Sequence, residues 1–124
     1  MKRRNNPLTP LELEIMKVLW DLGPAAVQAV QERLPGEPLA YTTVQTMLNV
    51  LLQKGKVKRS LKNRAYIYRP ALSRAEAVSH TMKDLIDRMF GGSAEALVMG
   101  LVEARQLNSG KLDELRRKLL ERGE

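Results

Sequence analysis

The 124-residue chain has no cysteine and a single histidine, His80. Without cysteine there can be no disulfide scaffold, no thiolate nucleophile and no cysteine-ligated zinc finger. A reducing, cytoplasmic setting is compatible with this. Aromatic residues make up only 4%, against 44% for hydrophobic residues as a whole. A core this poor in rings is more typical of packed helices than of a β-sandwich or barrel. No apolar run approaches the roughly 18 residues that a membrane helix needs, so membrane insertion is not expected. Met1 to Asn6 is basic, but no apolar stretch follows it, and a secretory signal is not expected either. The length suits one domain, or one small domain with a helical appendage.

Acidic residues are missing from one long stretch. Pro38 to Ala75 contains none, while it holds Lys54, Lys56, Lys58, Arg59, Lys62, Arg64, Arg69 and Arg74. The chain carries a net charge of +7, and the whole excess belongs to the first half. Residues 1–70 have 12 basic and 5 acidic side chains; residues 71–124 have 9 of each. A mixed-sign run would read as an ordinary solvated face. An acid-free basic run is what a phosphate backbone selects, because each neutralised phosphate releases counterions. The neutral second half alternates signs and repeats Leu and Met at helical spacing, the pattern of a helix-packing or oligomer module. Ser73 marks the change. The expected domains are therefore 1–72, which binds DNA, and 73–124, helical and dimerising.

Along the first half, Thr9-Pro10-Leu11-Glu12 is a helix start with a capping box. Leu8, Leu11, Ile15, Val18, Leu19 and Leu22 follow at helical spacing until Gly23-Pro24. A shorter helix is expected over Ala25 to Leu34, and a third from about Tyr41 to Lys54, closed by Gly55. Val57 to Leu61 and Ala65 to Arg69 flank Lys62-Asn63-Arg64 and read as a hairpin. In the second half, Ser73-Arg74-Ala75-Glu76 opens a helix carrying Val78, Met82, Leu85, Ile86 and Met89, and Gly91-Gly92 ends it. Ser93 starts another, with Leu97, Val98, Leu101 and Val102 apolar. Asn108-Ser109-Gly110 breaks it before Leu112, Leu115 and Leu119. Three short helices cannot bury their stripes well alone, so a second copy of the chain is the expected partner, through Val78, Met82, Leu85, Met89, Leu97, Leu101, Leu115 and Leu119.

The third helix is expected to read DNA. Tyr41, Val44, Met47, Leu48, Leu51 and Leu52 cluster on one side, and Thr42, Thr43, Gln45, Thr46, Asn49 and Gln53 on the other. Its outer face is polar, short and uncharged, whereas surface helices normally carry Lys and Glu. Gln and Asn can pair bidentately with adenine, and Thr or Val50 can meet a thymine methyl. The base-contact candidates are Thr42, Thr43, Gln45, Thr46 and Asn49. Lys54, Lys58, Arg59, Lys62 and Arg64 are the phosphate candidates, which would position the protein without specifying sequence. Helix-turn-helix followed by a basic hairpin is a winged helix, so the fold class is mainly α with a short β-hairpin wing.

Catalytic chemistry is thinly supplied. His80 and Asp84 are four apart and could place two metal ligands on one helix face, but two ligands per chain is few. Asp84 and Asp87 are flanked by Lys83 and Arg88, which suits surface ion pairing. Gly91-Gly92 lacks the strand and the Lys-Ser or Lys-Thr of a phosphate loop. Trp20 and Phe90 read as core or interface aromatics. No enzyme activity, cofactor or bound metal is expected. Two alternatives stay open: a winged-helix module that binds protein or RNA, and a metal-responsive repressor using His80 and Asp84.

The sequence resembles the penicillinase-repressor family of bacterial winged-helix regulators, the BlaI/MecI/CopY type. The resemblance is carried by Leu8-Thr9-Pro10-Leu11-Glu12-Leu13-Glu14-Ile15-Met16 with Val18-Leu19-Trp20, and by Tyr41-Thr42-Thr43-Val44-Gln45-Thr46-Met47-Leu48. Leu51-Leu52-Gln53-Lys54-Gly55 and Arg64-Ala65-Tyr66-Ile67-Tyr68-Arg69-Pro70 continue it. It spans roughly Leu8 to Leu120 and is most specific up to Pro70. The resemblance implies a cytoplasmic homodimer that represses transcription from operator dyads, with Thr43, Gln45 and Thr46 in the major groove. It also implies release by proteolysis of the dimer helices, started by a membrane metallopeptidase sensor. Where the family usually has the scissile pair Asn-Phe, this chain has Gly100-Leu101. It has Val50 where the family commonly has Arg, and it lacks the cysteine cluster of the copper-responsive members.

Overall fold

The computed structural model describes residues 7–124; the basic terminus at Met1 to Asn6 lies outside the described residues. The elements follow in the order α1 (Pro10–Leu22), α2 (Val27–Arg33), α3 (Tyr41–Gln53), β1 (Val57–Lys62), β2 (Ala65–Pro70), α4 (Arg74–Met89), α5 (Ala94–Glu103) and α6 (Ser109–Glu121). α1 begins at the expected capping box. The Glu12 N–H donates to Thr9 Oγ1 at 3.3 Å, and the Thr9 N–H donates to Glu12 Oε1 at 2.9 Å. Gly23, at φ 82°, turns the chain out of α1. The Ser73 box opens α4 in the same reciprocal way, through Glu76.

Three local expectations are corrected. The second helix starts at Val27 rather than Ala25, because Ala25 pairs with the outer edge of β2. It exchanges two backbone hydrogen bonds with Tyr68, at 2.9 and 2.8 Å. The hairpin turn is two residues long rather than three. Lys62 pairs with Ala65, and Asn63 and Arg64 both have positive φ, 52° and 68°, as a type I′ turn requires. The break between α5 and α6 is present but lies at residues 104–108, just ahead of its expected place at Asn108-Ser109-Gly110. Asn108 caps α6 by accepting from the Lys111 N–H at 2.9 Å, and Ser109 and Gly110 already belong to the helix.

The chain forms two compact units, Met1–Thr81 and Met82–Glu124. The first is a winged helix. Ile15, Met16 and Leu19 of α1, Val30 of α2, and Val44, Leu48 and Leu51 of α3 are fully buried, and Val57 and Tyr68 bring the hairpin onto the same core. Full burial of such side chains stabilises by about 1.5–3 kcal/mol each. Trp20 Nε1 donates to the Leu72 carbonyl at 3.0 Å and ties α1 to the segment that leaves the hairpin. In the second unit, α5 and α6 contain no fully buried residue.

Candidate nucleic-acid interface

α3 contains no charged residue. Its Val44, Leu48 and Leu51 are buried, while Thr42, Thr43, Gln45, Thr46, Asn49 and Gln53 are exposed and Val50 is half-buried. The structure therefore brings all five base-contact candidates onto one accessible side. Tyr41, read as part of the apolar side, is also exposed, at 47%. Ala40 caps α3 without a side-chain hydrogen bond, so the N–H groups of its first turn receive no side-chain oxygen.

The hairpin stands beside this helix. Residues alternate across its two faces. Val57, Arg59 and Leu61 share one face with Tyr66, Tyr68 and Pro70; Lys58, Ser60 and Lys62 share the other with Ala65, Ile67 and Arg69. Buried Val57 and Tyr68 turn the first face toward the core, and Arg59 extends it along the outer side of α3. Lys58 and Lys62 therefore lie on the face turned away from the core, and Arg64 is at the tip; all three are exposed. Arg59 differs from these three phosphate candidates. Its Nη1 donates to Asn49 Oδ1 at 3.1 Å and to the Tyr68 hydroxyl at 3.3 Å, and its guanidinium lies 3.9 Å from the Tyr66 ring centroid.

Lys54 is placed differently from the other basic candidates. Its ammonium donates to both carboxylate oxygens of Glu12, at 2.8 and 3.0 Å, and to the Pro7 carbonyl at 3.5 Å. Its charge neutralises a carboxylate that is only 2% exposed. Burial alone would raise the Glu12 pKa, but the Lys54 hydrogen bond, the Thr9 N–H and the Lys54 charge together hold it below the ordinary 4.5. Lys56, half-buried nearby, has its pKa lowered by burial and then by the Lys54 charge, with Glu12 opposing. The Glu12–Lys54 pair joins the start of α1 to the end of α3 and so ties these two helices together. Sequence reasoning saw Glu12 only as a cap. The missed signal is its spacing, since Glu12 lies on the same helical stripe as Ile15, Met16 and Leu19.

In the second half, the apolar candidates divide by exposure. Val78, Met82, Leu85, Met89, Leu115 and Leu119 are exposed, Met89 at 72%, while Leu97 and Leu101 are half-buried. The Gly100–Leu101 bond lies within α5. A Cβ on Gly100 would come 3.0 Å from Phe90 Cε1, so the Phe90 ring packs directly on the glycine. His80 is exposed, and Asp84 is occupied by Arg88 Nε at 2.9 Å, as Asp87 is by Lys83 at 3.3 Å. Among the described residues, no three or more His, Asp or Glu side chains gather where they could hold a metal. No helix among them is long and apolar enough to cross a membrane.

An uncharged polar helix face beside a basic hairpin is suited to base edges on one side and phosphates on the other. Comparison with known proteins adds a family to that arrangement. The sequence profile described as "Penicillinase repressor" matches residues 8–121. The penicillinase repressor of Bacillus licheniformis is 25% identical over 109 residues, covering 87% of this chain and 85% of that protein. The transcriptional regulator BlaI of Mycobacterium tuberculosis is 37% identical over 117 residues, covering 92% of this chain and 83% of that protein. Among solved structures, monomeric Bacillus licheniformis BlaI in complex with the blaP half-operator is similar with a TM-score of 0.50 at 26% identity. That likeness covers 60% of this chain and 93% of the other.

Proposed function

The chain belongs to the penicillinase repressor family, a family of transcriptional repressors and not of enzymes, and from that membership we propose that it represses transcription as a homodimer on a two-fold symmetric operator. The observation that carries the reading is the outer side of α3, exposed, polar and without charge beside a basic hairpin. Gln45, with Thr42, Thr43 and Thr46, reads base edges in the major groove. Lys58, Lys62 and Arg64 contact phosphate; Lys54, held by Glu12, serves the fold instead. A two-fold dimer, joined through the exposed apolar residues of α4 and α6, presents two reading helices about 34–36 Å apart or a multiple of that. The solved half-operator complex of the Bacillus licheniformis relative supports DNA as the partner.

The test is a titration of the purified protein against DNA from upstream of its own gene and against a scrambled duplex, across a salt series. A salt-dependent preference of about a thousandfold or more for the upstream DNA is the expected result. Equal weak binding to both, followed by a random-sequence selection that yields no consensus, rejects sequence-specific repression and favours a module that binds protein or RNA. Release by proteolysis, started by a membrane metallopeptidase sensor, belongs to the same reading. Because Gly100–Leu101 lies in α5, cutting there requires that helix to open first. A fragment ending at Gly100, sought by mass spectrometry in induced cells, tests this arm.

A further inference from the structure

Asn49 occupies a base reader's place on the outer side of α3, yet its carbonyl oxygen is already engaged. Asn49 Oδ1 accepts from Arg59 Nη1 at 3.1 Å and from the Tyr68 hydroxyl at 3.2 Å. Arg59 Nη1 also donates to the Tyr68 oxygen at 3.3 Å. Chemistry leaves one assignment for this triangle. A guanidinium only donates, so the amide atom facing it must be oxygen, and the Tyr68 oxygen must accept from it. The single phenolic proton of Tyr68 is then free to point at Asn49. Two of the three members have further contacts that hold them in place: Tyr68 is 1% exposed, and the half-buried Arg59 lies over the Tyr66 ring at 3.9 Å. Bidentate pairing with adenine needs the amide oxygen and nitrogen together. Here the oxygen already has two donors, and freeing it would leave a buried phenol without an acceptor.

We infer that Asn49, Arg59 and Tyr68 are positioning residues that clamp the wing to the reading helix, and that Asn49 reads no base. The inference rests on the proposed reading of α3 as the DNA-reading helix and narrows it. A two-stranded hairpin is marginally stable on its own. Its base is anchored by Val57 and Tyr68 in the core, but its outer part carries Lys62 and Arg64 beyond that anchor. The clamp ties the Arg59–Tyr68 rung to Asn49 of α3 and so fixes the direction in which this outer part leaves the reading helix. Phosphate contacts from the wing and base contacts from α3 are then engaged together. The departure from a free reading residue is thus a gain in preorganisation.

The experiment uses the full chain with Asn49→Ala, Tyr68→Phe and the double variant; Tyr68→Phe keeps the buried ring and removes only the hydroxyl. Random-sequence selection is run on the unaltered protein and the variants, and affinities are measured on the selected duplex and its single-base changes. Each single variant is expected to weaken binding by roughly threefold to thirtyfold on every duplex alike, leaving base preference intact. In urea denaturation the double variant is expected to raise the unfolding constant little further than the stronger single variant does, because both break one network. Arg59→Lys, which keeps the charge and loses the planar fork, is expected to behave like Tyr68→Phe. Relaxed preference at one operator position in Asn49→Ala alone overturns the inference. So do single-variant losses that multiply in the double variant. An unaltered protein that selects no consensus rejects the parent reading instead, and the denaturation cycle still decides the clamp.

Discussion

The two units are made from the same aliphatic residues and use them in opposite ways. In Met1–Thr81, the stripes of α1, α2 and α3 converge with Val57 and Tyr68, and seven of those side chains lose water completely. In Met82–Glu124, no residue of α5 or α6 is fully buried, and Met89, Leu115, Leu119 and Leu120 remain in water. Helical spacing therefore predicts which face is apolar but not what covers it. The first unit has three helices and a hairpin to close its core. The second has too little chain to enclose its stripes, and under the proposed homodimer a second copy completes it. Its stability should then depend on protein concentration, as that of the first should not.

The largest expected effect tests this contrast directly. Leu48→Ala should destabilise the first unit by roughly 2–5 kcal/mol, equally at high and low protein concentration. Leu119→Ala should instead change the concentration dependence of unfolding, measured by chemical denaturation at about 1 and 100 μM. A Leu119→Ala loss that is the same at both concentrations would break the comparison, because the second unit would then be self-contained.

Next in size is the Glu12–Lys54 pair, which belongs only to the enclosed unit. Lys54→Met should cost about 3 kcal/mol in denaturation, since it leaves a buried carboxylate uncompensated. Combining it with Glu12→Gln should recover part of the loss. The same pair sets an acid limit. Because the folded Glu12 pKa is depressed, its stabilisation is fully present above the ordinary 4.5 and is lost as pH falls through the folded value. Denaturation midpoints from neutral pH downward should therefore fall more steeply in the unaltered protein than in Glu12→Gln. Parallel curves would remove Glu12 from the acid response.

Two smaller effects separate binding from folding within the first unit. Gln45→Ala should cost roughly 1–3 kcal/mol of operator affinity and relax one base position, with unfolding nearly unchanged. Equal loss on operator and random DNA would remove it as a reader. Arg64→Gly should have opposite signs in the two measurements. Arg64 sits at φ 68° in the type I′ turn, where glycine is the preferred residue, so the hairpin should gain about 0.5–1 kcal/mol. The lost charge should still weaken DNA binding and shallow the salt slope by about one unit. An unchanged slope would take Arg64 out of the phosphate footprint.

Much of the fold is legible in the residues because its signals act over a few positions. Thr9 and Ser73 open helices by hydrogen bonds three residues away, and Gly23 and Gly55 end them. Those local rules held. The misplaced boundaries, at Ala25 and at Asn108-Ser109-Gly110, arise where context outweighs propensity. Ala25 is drawn into a bridge with distant Tyr68, and Asn108 acts as a cap where its neighbours suggest a loop. The candidate interface was legible as a face and a charge, but not in its internal bonding. Nothing near Asn49 indicates that its oxygen faces Arg59 and Tyr68.

The sequence by itself determined the element order, the winged-helix class, the basic first half and the uncharged side of α3. Periodicity, caps and charge counts suffice for these, because each depends on neighbours along the chain or on composition. Only the tertiary structure decided which polar groups are engaged and which are open. Lys54 reaches Glu12 across 42 positions, and Tyr68 reaches Asn49 across 19. Those pairings depend on how α1, α3 and the hairpin stack around one core. A hydrogen bond requires its partners within about 3 Å, a distance that the spacing of residues in sequence does not encode.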